Sequence, residues 1–595
     1  MRLALALLGL PLLATSPVFT AKDALQAEWR RQAPTFSDAE KRQLPQVDRV
    51  RLEQTLARIG APGAPALLPP ELEKPTLESW EAKASLAKLP QDRFTALYFL
   101  NRLKSPRALT ALNGLTADDA KTWPKFLHLE AGLATARLNG GQVGPELQGF
   151  LDGLQQAGKV DPVRAQAARL RLVMAGKEKE LLPAVAATPG SLLALLDAWN
   201  RAPWEKRRAI TLVGFQALDP ASPAWPAMGL VRPDQATLET ACVGILSRLS
   251  EGTPDPAPEE ILKMGGAPWA CAKQPLAQWY AAQTLPKFKA LLPDQLNGLR
   301  ASLSALDSGM LGTLLPGLRK HLPEVADKAQ AQLLTCADPV ARAAAIDDMT
   351  KAPSDLDALI QRLWKTEEYD GVQVLLPALA KWKLPEDRRR AILQRFLTHP
   401  CWTARLDAWT ALSKLEPKTP WPMVPSPAAT DRMILKEATR LAALGRPVRM
   451  RLIFGGNRQV VLKLDPINAP MNVANLVILA RKGFFNGRLV PRVVPDFVVQ
   501  MGSPCDTMDG GPGYTVRCEN SLAWYGPGSV GMALSGKDTG GSQFFITTNA
   551  TPHLTGKYTR VGEVEALDQA MKVLDDLELG AKLERVEILA PGTKR

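Results

Sequence analysis

The chain has 595 residues, 46% of them apolar and 22% charged, a balance that excludes intrinsic disorder, and its length suits several domains. Lys and Arg number 73 against 60 Asp and Glu, a net charge of +13. No basic cluster with interleaved aromatics accompanies that charge, so it reads as a solvated surface and no nucleic-acid partner is expected.

The first element is a targeting segment. Met1-Arg2 precedes the apolar run Leu3–Leu13, and small residues follow to Ala21. This is the layout of a secretory signal peptide over 1–20, with cleavage after Thr20 or Ser16. The alternative, a buried N-terminal helix, is opposed by Pro11 and the single leading charge. The run is too short to cross a bilayer, so no stable membrane span is expected. The chain is expected to be exported, to the periplasm, cell envelope or extracellular space. Export permits disulfides, but six cysteines allow fifteen pairings. No Cys-x-x-Cys occurs and the four histidines are scattered, so no metal and no cofactor are expected.

Residues 24–415 read as short amphipathic helices. At Asp161–Gly176 an aspartate caps, Pro162 opens, apolar residues recur at helical spacing and a glycine closes. A similar start stands at Asp338-Pro339. The pattern Ala-Arg-x-x-Ala occurs at Ala341–Ala345 and again at Ala404–Ala408, 63 residues later. Such helices resemble the helix pairs of HEAT-type α-solenoids, for which contacts with other proteins are expected; an irregular helical bundle is the alternative. Trp199, Trp279, Trp402 and Trp409 read as core anchors. A proline-rich linker spans 416–429, and a connecting helix spans 430–445.

From 446 to 595 the pattern turns to strands. Met450–Phe454 and Gln459–Leu464 read as a hairpin, and Pro470 opens a helix closed by Gly483. Short strands follow at Val493–Val494, Phe497–Met501, Ser529–Met532, Phe544–Thr547 and Val561–Val564. A second helix fits Leu567–Leu577, and Leu583–Ile588 is a last strand. The whole suggests a barrel capped by helices.

The runs Phe485–Pro504 (FNGRLVPRVVPDFVVQMGSP) and Gly528–Thr547 (GSVGMALSGKDTGGSQFFIT) resemble the two signatures of cyclophilin-type peptidyl-prolyl isomerases, in that family's order and spacing. The resemblance implies a closed eight-stranded antiparallel barrel with two capping helices, and isomerase activity on proline-containing polypeptides. It implies Arg492 as the donor to the prolyl nitrogen and Gln500 as the residue that orients it. Phe497, Val498, Phe545, Leu554 and Tyr558 would bind the proline, with Ala533 and Gln543 along the groove for preceding residues. Rival readings are a non-enzymatic module that grips proline segments, and a scaffold whose helical array is the function.

Some positions depart from the family's pattern. Pro491 stands where histidine is usual, Val498 where methionine is common, and His553 where tryptophan is found in eukaryotic members. Val561 replaces a phenylalanine close to the pocket, which would thin its wall. Gly510–Gly513 is a turn cluster without a phosphate-binding Lys-Ser/Thr, and Ser542 lacks the second glycine of a nucleophile elbow. That turn cluster lies between Cys505 and Cys518, so a disulfide between them is expected, against the alternative of two free thiols.

Overall fold

The computed structural model describes, with short internal omissions, residues 75–111, positions 126 and 130, residues 275–419 and residues 429–590. The expected signal segment, the helix at Asp161–Gly176 and most of the proline-rich linker lie outside the described residues.

Helices come first. α1 (Leu77–Leu86) and α2 (Pro90–Arg102) form a pair. Later come α3 (Pro275–Thr284), α4 (Pro293–Ser302), α5 (Ser308–His321), α6 (Pro323–Thr335), α7 (Pro339–Asp348), α8 (Leu356–Lys365), α9 (Tyr369–Lys381), α10 (Glu386–Phe396) and α11 (Trp402–Leu415). Prolines open many of them because the first turn has no use for the missing N–H. Asp338 caps α7, its carboxylate accepting from the N–H groups of Val340 and Ala341. Alternate helices pack in series: α3 on α5, α5 on α7, α7 on α9 and α9 on α11. A Cβ at Gly312 would lie 3.1 Å from Cα of Ala341, so this glycine lets α5 and α7 approach closely.

The repeated Ala-Arg-x-x-Ala pattern has one structural meaning at both places. Ala341, Ala345, Ala404 and Ala408 are buried. The intervening arginines are buried too, and each donates to a carbonyl six residues back, Arg342 to Cys336 and Arg405 to His399. A buried guanidinium demands such a partner.

The connecting helix, α12 (Ala429–Leu444), is not a free spacer. Its Ile434, Leu435, Ala438 and Leu441 belong to the same core as the sheet that follows. That sheet contains β1 (Val448–Phe454), β2 (Arg458–Leu464), β3 (Arg488–Leu489), β4 (Arg492–Val494), β5 (Val498–Met501), β6 (Ser529–Met532), β7 (Phe544–Thr547), β8 (Arg560–Val564) and β9 (Lys582–Ile588). Helices α13 (Pro470–Arg481) and α14 (Leu567–Asp575) add Val473, Leu476, Ala570 and Leu574 to the interior. The N-terminus of α13 has no cap of its own. Buried Glu519 serves instead, accepting from the N–H groups of Met471 and Asn472 at 3.1 and 3.0 Å. A carboxylate there satisfies orphan donors and meets the positive end of the helix dipole.

The strand order is β3-β9-β1-β2-β8-β6-β7-β5-β4, antiparallel throughout. The expected hairpin pairs from Val448↔Leu464 to Phe454↔Arg458. The expected closed eight-stranded ladder needs correction in two respects. There are nine strands among the described residues, the two-residue β3 being the addition, and no ladder joins the end strands β3 and β4. Those two strands are consecutive in the chain, separated by Val490 and Pro491. Proline has no N–H for a seam, and Val490 pairs elsewhere, with Ala581 and Gly580. The result is a curled antiparallel sheet.

Candidate active site

Strand register builds the site. Arg492 on β4 faces Gln500 on β5, which faces Phe545 on β7, which faces Gly531 on β6. Opposed residues of antiparallel neighbours share a face. Their neighbours Val499, Met501, Phe544 and Ile546 point the other way, into the core. The row therefore stands on the outer face of the sheet. Arg492 Nη1 donates to Gln500 Oε1 at 3.2 Å, and Gln500 Nε2 donates to Gln543 Oε1 at 3.0 Å. Gln543 Nε2 donates in turn to the carbonyls of Met508 and Gly510, each at 2.9 Å. This relay of amides steadies the guanidinium at one end and ties down the 508–510 loop at the other.

Beside the row lies a separate apolar cluster of Val494, Val498, Tyr525, Phe545 and Leu554, with Phe497, Ala533 and Tyr558 packed on it. It gathers every apolar residue that the resemblance named, and adds Val494 and Tyr525. Tyr525 stacks on Phe545 with centroids 6.0 Å apart, and Phe545 meets Tyr558 edge-on at 5.8 Å. A Cβ at Gly531 would fall 2.4 Å from the Phe545 ring and 2.5 Å from the Tyr525 hydroxyl, so a side chain there would displace both rings. Arg492 Cζ stands 5.8 Å from the centroid of Phe497. Phe497 itself sits in the turn before β5, not in the strand as expected. A charged fork and an apolar patch thus share one edge.

Helix α2 reaches this edge. Tyr98 Oη and His553 Nδ1 share a hydrogen bond of 2.6 Å, and the two rings stack at 5.4 Å. The other neighbour of His553 is Phe497, stacked at 5.5 Å. His553 retains some solvent contact, but packing between two rings desolvates its imidazole. That burial, helped by the charges of Arg102 and Lys557, lowers its pKa to about 4, so the ring is neutral. Trp524 Nε1 donates to Thr95 Oγ1 at 3.0 Å, a second tie between α2 and the sheet domain.

Two expectations are overturned. Val561 is fully buried in the main core and takes no part in the apolar cluster outside it. On β8 the register shifts at this position: Arg560 pairs with Gly531 and Gly562 with Val530, and Val561, the extra residue between them, is turned into the core. It thins no pocket wall. Cys505 and Cys518 are not joined by a disulfide. Their stretch is held by different partners at its two ends. A Cβ on Gly510 would lie 2.9 Å from Cys505 Sγ, whereas Cys518 adjoins Glu519, which is fixed to the start of α13. Desolvation of the sulfur, then the charges of Asp338, Asp509 and Asp370, push the Cys505 thiol up to about 11. Ser542 is buried scaffold, donating to the carbonyl of Gly502 at 2.7 Å.

Val494 was within reach of sequence reasoning, since it lies two residues after Arg492 and so on the same face of a strand. Tyr525 belongs to neither signature, and no local pattern marks it. The partner of His553, Tyr98, is 455 positions away. Among the described residues no group of three His, Cys, Asp or Glu could hold a metal, and no helix is long and apolar enough to cross a membrane.

Residues 449–591 match the profile of the family described as cyclophilin type peptidyl-prolyl cis-trans isomerase/CLD. Peptidyl-prolyl cis-trans isomerase B of Bacillus subtilis is 46% identical over 115 residues, which cover 19% of this chain and 80% of that one. A peptidyl-prolyl cis-trans isomerase of Helicobacter pylori is 40% identical over 129 residues, 21% of this chain and 78% of its own. One from Synechococcus elongatus is 42% identical over 122 residues, 20% and 83% of the two chains. A solved cyclophilin type isomerase of Cryptosporidium parvum aligns at 22% identity and a TM-score of 0.23, covering 24% of this chain and 98% of that one. Through its C-terminal quarter, where the arginine–glutamine row borders the apolar cluster, the chain belongs to the cyclophilin-type peptidyl-prolyl cis-trans isomerases.

Proposed function

We propose that this chain is an exported isomerase that turns X-Pro bonds in extended polypeptide segments, with its helical array as a surface for protein contacts. Rotation about a peptide bond faces a barrier of about 18–20 kcal/mol, from the double-bond character of C–N. Both isomers are populated only at proline. The rotation makes and breaks no covalent bond, so a proline pocket and a donor that favours the non-resonant nitrogen suffice. In this reading Phe497, Val498, Phe545, Leu554 and Tyr558 take the proline ring. Arg492 donates to the prolyl nitrogen as resonance is lost, and Gln500 holds the guanidinium in line. Ala533 and Gln543 run along the residues before the proline. Catalysis is then complementarity to the twisted state.

The observation that carries this reading is the hydrogen-bonded row Arg492–Gln500–Gln543 lying against the apolar cluster. Alternate-helix packing and the twice-used arginine grip support a repeat array. The layout of Met1–Ala21 supports export. Protease-coupled isomerisation of a short X-Pro peptide by the full chain tests the activity. Turnover well above the uncatalysed rate is expected, and a rate equal to it would leave a binder of proline segments. Secretion of a reporter fused to residues 1–30, against its retention in the cell, tests export.

A further inference from the structure

A cavity of about 840 Å³ lies between the outer face of the sheet and helices α7 and α9. Its sheet side includes Gln500, Ala533 and Gln543, and its helix side includes Ala343, Gln373 and Val374. Residues of the 508–515 loop complete the lining. That loop is held from both directions. Gln543 grips the carbonyls of Met508 and Gly510 from the sheet. From the helices, Trp279 Nε1 donates to the half-buried Asp509 carboxylate at 2.9 Å, and Val340 Cγ2 would stand 3.5 Å from a Cβ on Gly510. Trp279 is therefore more than a core anchor. The helical array and the active edge share a loop and a cavity.

We propose that α7 and α9 form the far wall of the substrate groove, so that an extended polypeptide is held between sheet and helices by the residues preceding its proline. This rests on the isomerase reading, which seats the proline on the Phe497 cluster and the preceding residues along Ala533 and Gln543. Both of those side chains open into the cavity, so a segment leaving the proline on that side enters the space bounded by Gln373 and Ala343. Extended chain advances about 3.3 Å per residue, and only a segment free of its own tertiary contacts can pass between two walls. The substrate class is thus an unfolded or extended stretch, with several residues ahead of the proline, and a proline in a tight surface turn is disfavoured.

The test uses the full chain and two variants that narrow the cavity from different helices, Gln373→Trp in α9 and Ala343→Leu in α7. Circular dichroism and thermal melting establish folding. Fluorescence anisotropy gives affinities for two labelled peptides, one with a single residue before proline and one with about six. The long-to-short affinity ratio is expected to fall at least about tenfold, near 1.4 kcal/mol at 25 °C. A fall in either folded variant supports the proposal, and an unchanged ratio in both overturns it. A wild-type measurement stands beside these. A photo-cross-linker at the N-terminus of the long peptide should label residues 339–381, and labelling confined to other parts of the chain overturns the proposal. Binding is read apart from turnover. A chain that cross-links at 339–381 yet isomerises neither peptide would refute the isomerase reading and leave the wall standing.

Discussion

Removing the Arg492 guanidinium should be costly to turnover and cheap to stability, because the side chain stands on the outer face of the sheet and its row is not part of the core. Arg492→Ala is expected to lower turnover at least about tenfold, since one donor aimed at developing charge is typically worth about 3 kcal/mol. The coupled assay, with circular dichroism to confirm folding, checks this, and unchanged turnover in a folded variant would refute the assigned role. Val561→Phe should behave in the opposite sense. The residue lies in a filled interior, where added bulk usually costs about 1–3 kcal/mol, so a lower melting temperature is expected without any gain in turnover. A gain would show that the position does border the pocket. The two signature runs made Arg492, Phe497, Gln500, Gln543 and Phe545 legible. Val561 was misread because resemblance supplies proximity but not the face of a strand on which a side chain lies.

Among elements, α13 and α2 carry the clearest expectations. The first turn of α13 depends on a carboxylate from a distant loop. Glu519→Ala leaves buried N–H groups without an acceptor, at a cost of about 1–3 kcal/mol. Thermal unfolding measures that loss, and a stability within error of wild type would show that another acceptor takes over. The docking of α2 should depend on pH through His553. Its pKa in the folded chain, about 4, lies below the ordinary 6.5, so the unfolded chain binds the proton more readily. The stabilisation is complete above about pH 6.5, declines as pH falls towards 4, and changes no further below that. Tyr98 on α2, Phe497 and the charges of Arg102 and Lys557 face the ring; the Tyr98 hydroxyl can bond either form, but burial and the two cations oppose an imidazolium. Hydrogen exchange of the 90–102 amides, corrected for intrinsic rates, is expected to be faster at pH 5 than at pH 7. Equal protection would show that His553 does not govern the contact. The strands and helices of the C-terminal part were readable from alternation, prolines and glycines. The two-residue β3 was not, since so short a strand has no period. The seating of α2 was invisible as well, because a contact across hundreds of positions leaves no local trace.

At the scale of the whole chain, the helical array and the isomerase domain meet at more than one point: α2 at His553, α3 at Asp509 and α7 at Gly510. The sequence divided them at a proline-rich linker and showed no sign that they meet. Linker composition reports stiffness and not the path of what lies on either side. Arg342 and Arg405 grip carbonyls at the same reach, so positions 336 and 399 are equivalent joints on the proposed repeat reading. Excision of residues 337–399 would join Cys336 to Pro400 and leave Arg405 six positions beyond the carbonyl it would now grip, with α11 taking the berth of α7 against α5. A 63-residue cut that falls on this period should therefore heal, whereas a cut of the same length begun half a period away should not. The first chain is expected to keep a cooperative melt and turnover on short peptides while losing its preference for long ones, and aggregation of both chains would refute the equivalence. On the proposed repeat reading, the length of the helical region would change by whole periods, and each period added or removed would alter what stands opposite the proposed substrate groove.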